Sequence, residues 1–163
     1  MIRKVDIERL SVVSIKPFEA VVEALEMAIG HPDMFEFMMS TQGSHNFAEM
    51  ESTVHRALGR TELMLFMKLD HGMTLRKETG LDKPKIVLFL IGNPLIMKEM
   101  TKHVLDAGSY APITILVDEQ PEGTYLSYDK MASLLASYRN SAALAVARDL
   151  DSKIENLIRQ SAT

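Results

Sequence analysis

The spacing of apolar residues changes repeatedly along the chain, and each change predicts an element. From Ile2 to Ser14 apolar and charged residues alternate imperfectly, with Val5, Ile7, Arg9 and Ser11 on one parity and Asp6, Glu8, Leu10 and Val12 on the other, which predicts a strand. Pro17 then stands where a first helical turn tolerates proline. Phe18, Val21, Val22, Leu25, Ala28 and Ile29 recur at intervals of three and four until Gly30, the pattern of an amphipathic helix. Between residues 31 and 60, Met34, Phe35, Met38 and Met39 suit one helical face, Gly43-Ser44 interrupts, and Phe47, Met50, Val54 and Leu58 resume. Two short helices are expected there, with a mobile flap as the other reading.

Leu63, Leu65, Met67 and Leu69 share one strand parity and Met64, Phe66, Lys68 and Asp70 the other, so one face of a second strand is expected in the core. A helix from about Met73 to Thr79 stops at Gly80. KIVLFLIG, residues 85–92, is apolar on both parities, as a central strand covered on both faces would be. Asn93-Pro94 follows at once, and an asparagine cap with proline at the first helical position predicts a helix running toward Gly108. ITILVDE (113–119), a turn around Pro121-Glu122-Gly123 and TYLSYD (124–129) predict a hairpin with a loop of several residues, and Asp129 is placed to cap the helix that follows. From Lys130 to about Arg159 the spacing is helical, with a break near Asn140-Ser141.

The predicted order is βα(αα)βαβαββα in one domain, 1–163, with a helical methionine-rich insertion at about 31–60 and a C-terminal helical segment at about 130–159. The hairpin rules out a purely parallel sheet. The expected class is α+β, with a mixed or antiparallel sheet and helices packed mainly on one side.

Composition narrows the chemistry. Over 163 residues the hydrophobic share is 47% and the charged share 25%, which suits a folded domain rather than a disordered chain. Eighteen basic against 22 acidic residues leave a net charge of −4, so no global field favours nucleic acid or an anionic membrane. Without cysteine, disulfides, zinc thiolates, iron–sulfur clusters and thiol catalysis are excluded. No apolar run reaches the length of a membrane span and the N-terminus lacks a signal-peptide core, so the cytoplasm is the expected compartment.

Asp70-His71-Gly72 closes the second strand, where open sheets often place reactive groups. His71 is the candidate general acid/base, with Asp70 or Tyr128 as its orienting partner. Adjacent strand residues point to opposite faces, however, so Asp70 equally suits capping of the next helix, and Lys68 on its face competes for it. Gly92-Asn93-Pro94 puts a helix N-terminus behind a buried strand, a geometry for an anion, although the glycine spacing of a phosphate loop is missing and a plain tight connection also explains it. Methionine contributes 12 residues; Met64 and Met67 fall on opposite strand faces, whereas Met97 and Met100 share a helix face and could chelate copper(I). Core filling or an adaptable interface is the commoner use of methionine. The histidines His45, His55 and His103 show no metal spacing, and no serine-nucleophile motif is present.

Read together, LFMKLDHG (65–72), KIVLFLIGNPLIMKEM (85–100), YAPITILVDE (110–119) and GTYLSYDKMASLL (123–135) resemble the bacterial and archaeal family known as domain of unknown function 302. The resemblance covers about residues 1–30 and 61–158. It implies a compact α/β sandwich similar to the TATA-binding-protein-like sheet-and-helix fold, commonly a dimer, and no established reaction. The family's recurrent polar positions fall here on Asp70, His71, Gly92, Asn93, Pro94, Pro112, Tyr128 and Asp129. The chain departs from the family pattern in the 31–60 segment and in the apolar Leu95-Ile96-Met97 after the Asn-Pro turn.

The expected function is a non-catalytic homodimer that binds a small molecule or a protein partner, with Asp70, His71, Gly92, Asn93, Pro94 and Tyr128 as candidate binding residues and no resident metal. Its cofactor, if any, is not specified by the residues. A small enzyme built on His71 is the alternative, and haem or copper binding through His71 or His103 with methionine a weaker one. Both readings of the site require the corners after the second and third strands to meet at one hollow, walled by apolar side chains of the insertion.

Overall fold

The computed structural model describes residues 2–163. In chain order it runs β1 (Arg9–Ser14), α1 (Phe18–Ala28), α2 (Met34–Gln42), α3 (Phe47–Ala57), β2 (Met64–Asp70), α4 (Gly72–Thr79), β3 (Ile86–Gly92) and α5 (Pro94–Thr101). A 3-10 turn (Leu105–Tyr110), β4 (Ile113–Gln120), β5 (Gly123–Asp129), α6 (Met131–Ala136) and α7 (Ser141–Ala162) complete it. The strands form one sheet in the order β1-β5-β4-β3-β2, with every neighbouring pair antiparallel. The class is α+β, and the four antiparallel pairings resolve the mixed-or-antiparallel alternative in favour of the second.

The helices cover one face. Val87, Phe89 and Ile91 of β3, Ile113, Ile115 and Val117 of β4, and Leu126 and Tyr128 of β5 are buried on it. Against them pack Phe18, Val21, Val22 and Leu25 of α1, Met100 of α5, Met131 and Leu135 of α6, and the long stripe of α7. That stripe, Ala143, Ala147, Leu150, Ile154, Leu157 and Ile158, follows the three-and-four spacing, and each fully buried Leu or Ile contributes about 1.5–3 kcal/mol relative to exposure. Asn140 starts α7, its side-chain oxygen accepting from Ala143 N at 2.9 Å, which explains the predicted break.

The 31–60 segment forms two helices rather than a flap because both starts are capped. Asp33 accepts from Glu36 N at 2.9 Å and Asn46 from Glu49 N at 3.0 Å, while Glu49 reaches back to His45 N at 2.9 Å. The two helices enclose a small second core of Phe37, Val54 and Met64.

Several expectations are corrected. The first strand begins at Arg9, not Ile2; before it the chain crosses to the helical side, where Arg3 donates to Ser137 O at 3.1 Å and Glu8 N donates to Ser133 Oγ at 3.0 Å. In β2 the register shifts between Leu65 and Met67, so the simple parity fails and Met67 faces outward with Leu69. α5 ends at Thr101 and yields to the 3-10 turn instead of running to Gly108. The β4–β5 loop has only Pro121-Glu122 between the strands.

The largest correction concerns β3, whose second face carries no helix. The register places Ile86, Leu88 and Leu90 beside Asp118, Leu116 and Thr114 of β4, and Leu88 and Leu90 beside Leu69 and Met67 of β2. Directly opposed antiparallel residues share a face, so these side chains form an apolar patch on the uncovered side of the sheet. Toward β1 the patch grades into Tyr125, Ser127, Ser11 and the Arg9–Asp129 ion pair at 2.6 Å.

Candidate functional site

The site is built at the corner where β3 turns into α5. Gly92 ends the strand, Asn93 caps the helix and Pro94 opens it. The Asn93 side chain accepts from Leu95 N at 2.9 Å and donates to Glu62 O at 3.0 Å, so it fastens α5 to the segment leading into β2. Beside this corner lies a half-open hollow of about 200 Å³. One wall is Ile96, Met97 and Met100 of α5; Phe66 of β2 closes another; Gly108, Ala111, Pro112 and Ile113 line the approach to β4; Met131 of α6 and Leu150 of α7 form the floor. No lining residue is charged.

Gly92 is compact for a reason. A Cβ there would lie 3.4 Å from Phe66 Cε2 and 3.7 Å from Pro112 Cβ, so any larger side chain would occupy the space between these rings. Its small size keeps the hollow open.

Behind the floor sits a buried polar cluster. Asp151 of α7, 4% exposed, accepts from the Tyr128 hydroxyl at 2.7 Å, from Met131 N at 2.7 Å and from Ala132 N at 3.0 Å. It satisfies the free N–H groups that open α6. Asp129, the expected cap, is instead held by Arg9 on the other face of the sheet, and the guanidinium keeps its carboxyl below the usual range. Burial, reinforced by the negative charge of Asp151, pushes the Tyr128 hydroxyl well above the ordinary tyrosine range, so it stays protonated as a donor. The network fixes Met131 and Leu150 in the wall of the hollow.

The second expected corner lies elsewhere. β2 and β3 are antiparallel, with Asp70 opposite Val87 and Met64 opposite Gly92, so the ends of these two strands are at opposite ends of the sheet and do not share a hollow; the expected two-corner site is overturned, and only the corner after β3 borders the hollow. Asp70 takes a two-pronged ion pair from Arg76, at 2.6 and 3.3 Å, and accepts from Met73 N at 3.0 Å. The guanidinium holds the Asp70 carboxyl below its ordinary range, which makes it a helix cap and ion-pair partner rather than an orienter of imidazole. It lines a separate polar cleft with Arg76, Asp82 and Lys85. Lys68 pairs with Glu26 at 2.6 Å and not with Asp70. His71 is exposed, and Tyr128 is buried at the far end of the sheet, so the proposed acid/base grouping is not assembled.

Met97 and Met100 do share the hollow, as their helix spacing predicts, but neither His71 nor His103 lines it. Among the described residues no group of three His, Asp or Glu is placed to hold a metal ion. The insertion does not wall the hollow; its contribution is indirect, through Phe66 and Leu95 packed on the second core. Phe66, Met131 and Leu150 were not among the candidates, and only the register and the fold of α6 onto α7 bring them here.

The family model described as Domain of unknown function DUF302 matches residues 39–161, opening inside the segment expected as an insertion. A solved structure, that of an uncharacterized conserved DUF302 protein from Bacillus stearothermophilus, is similar over 94% of this chain and 97% of that one, with 16% identity and a TM-score of 0.64. At that identity the likeness concerns the fold. No curated protein matches the chain. Among the described residues no helix is long and apolar enough to cross a membrane.

Proposed function

The chain belongs to the DUF302 family, and we propose that it is a non-catalytic binding protein that takes a small, mostly apolar molecule into the hollow at the Asn93 turn. The observation that carries this reading is the lining itself: a concave apolar space without a charged side chain, in which the one amide, that of Asn93, has both ends committed to backbone partners. Gly92 supplies room, Asn93 and Pro94 fix the corner, and Tyr128 acts from behind through Asp151 and Met131. The apolar turn and a lining without Lys, Arg or His oppose the anion reading. Xenon pressurisation of crystals is the test, because xenon enters dry apolar cavities irrespective of ligand identity. Density in the hollow of the wild type, lost in Gly92→Leu, is expected; an empty hollow at pressures that fill other cavities contradicts the reading.

The uncovered face of the sheet favours a second element, a homodimer. Five strands about 4.8 Å apart and about 20 Å long give a face on the order of 450 Å² in plan, apolar over β2, β3 and β4 and polar toward β1. Leu88, Leu90, Leu116, Leu69 and Met67 form the apolar part, which reaches the edge strand β2. Two such faces would stack as a sandwich about 10 Å thick. Light scattering should give twice the chain mass for the wild type and the chain mass for Leu88→Asp, with unchanged helix content in both. A wild type that is monomeric at tens of micromolar refutes this element.

A further inference from the structure

We propose that the molecule bound in the hollow is a neutral aromatic ring system of one or two rings; this rests on the binding reading above and specifies its ligand. The first argument is size. The hollow measures about 200 Å³, and an engineered apolar cavity of about 150 Å³ is known to take up benzene, so one ring with a substituent or a small bicycle fills the enclosed space, and anything larger projects through the open side.

The second argument is the chemistry of the wall. Three thioether side chains, Met97, Met100 and Met131, converge on it from two helices, with the Phe66 ring opposite Gly92. Sulfur is polarisable and makes favourable contacts with the face and edge of an aromatic ring, beyond what an aliphatic side chain of equal volume provides. Phe66 offers an edge-to-face or offset partner. Met100 and Met131 are buried at 1% and 0% exposure and back the wall, while Met97 is the half-buried thioether residue with surface on the hollow, as Phe66 is on the other side. Filling a pocket from two sides with methionine rather than leucine retains the adaptability that a flat ligand of variable substitution requires.

The third argument is charge. None of the lining side chains is ionisable, and the Lys98, Glu99 and Lys102 charges of α5 are engaged with one another, at 2.5 to 2.8 Å, so no group offsets the loss of hydration of a carboxylate or ammonium inside. A polar substituent is tolerated only at the open side.

The experiment compares three probes of nearly equal shape by calorimetric titration of the full chain: benzyl alcohol, cyclohexylmethanol and benzoate. Benzyl alcohol is expected to bind at least fivefold tighter than cyclohexylmethanol and at least tenfold tighter than benzoate. In Met97→Leu, a near volume-conserving change that leaves the fold intact, the preference for benzyl alcohol over cyclohexylmethanol should fall at least twofold while cyclohexylmethanol binding is unchanged. Gly92→Leu should abolish binding of all three. Equal binding of the two neutral probes, or a preference that survives Met97→Leu undiminished, overturns the aromatic assignment and leaves the hollow as a binding site. Benzoate binding as tightly as benzyl alcohol overturns the neutrality argument. Failure of every probe overturns both this inference and the binding reading.

Discussion

Removing the Asp151 carboxylate isolates the network that shapes the floor of the hollow. In Asp151→Ala, Ala132 N–H and the Tyr128 hydroxyl lose their acceptors, while Met131 N–H keeps only a 3.3 Å contact to the Tyr128 oxygen. Each orphaned buried donor costs about 1–3 kcal/mol, so two orphans and one weakened bond predict a loss of about 3–5 kcal/mol, a large part of the 5–15 kcal/mol typical of a domain. Asp151→Asn keeps the shape and one oxygen but turns an NH2 group toward one of the donors, predicting about 1–3 kcal/mol. Tyr128→Phe removes the hydroxyl partner but also the 3.3 Å contact left to Met131 N, so in that background Asp151→Ala still orphans two amides and should cost only about 0.5–1 kcal/mol less. Urea unfolding of five proteins, the wild type, Asp151→Ala, Asp151→Asn, Tyr128→Phe and the Asp151→Ala/Tyr128→Phe double variant, measures all of these terms. A loss below about 1 kcal/mol for Asp151→Ala, or strict additivity with Tyr128→Phe, would refute the network as described.

Alkaline titration tests the same contact from the other partner. The Tyr128 hydroxyl has its folded pKa raised, by burial first and then by Asp151, so its contribution is fully present below the unfolded tyrosine value of about 10 and is lost as pH rises beyond it. Stability measured between pH 9 and 11.5 should therefore fall more steeply in the wild type than in Tyr128→Phe, and parallel curves would contradict the assignment. Asn93→Asp keeps the acceptor for Leu95 N but sets a carboxylate oxygen against Glu62 O, in place of a 3.0 Å hydrogen bond, so a loss of about 1–3 kcal/mol in thermal or urea unfolding is expected. A neutral outcome would mean that the corner is held by something other than this amide. Arg139 has φ 53 and its side chain makes no hydrogen bond or ion pair among the described residues, so Arg139→Gly should raise stability by about 0.5–1 kcal/mol in the same assay; a destabilised variant would show that the left-handed backbone is not strained.

Local signals were legible wherever one residue decides the backbone. Pro17 and Gly30 bracket α1, Asn93-Pro94 opens α5, Gly80 with φ 71 closes α4, and Asn140 divides the C-terminal segment. Sheet-level facts were not. Alternation along KIVLFLIG shows two apolar faces but not that helices cover only one of them. The bulge at Leu65–Met67 reverses a parity that the sequence presents as regular.

The site divides in the same way. The Gly92-Asn93-Pro94 corner was found from its capping chemistry, and the shared face of Met97 and Met100 from helical spacing. Asp70 and His71 were placed beside that corner only by assuming that two strand ends point the same way, and antiparallel pairing separates them. Asp151 carries a readable signal: a lone acid between Leu150 and Ile154 on the buried stripe of α7 has to find donors, and the start of α6 supplies them. Nothing in the sequence alone shows that Phe66, Met131 and Leu150 meet.

The most direct test of the hollow as the binding site is a carbon–hydrogen NMR spectrum of protein labelled at the methionine methyl groups, titrated with benzyl alcohol. The 12 methionines are reporters spread over the whole molecule. The account predicts that the methyl signals of Met97, Met100 and Met131 move together, saturably and with one affinity, while those of the exposed Met38 and Met39 on α2 stay in place. Shifts confined to Met38 and Met39, or none at the three methionines of the hollow, would contradict it.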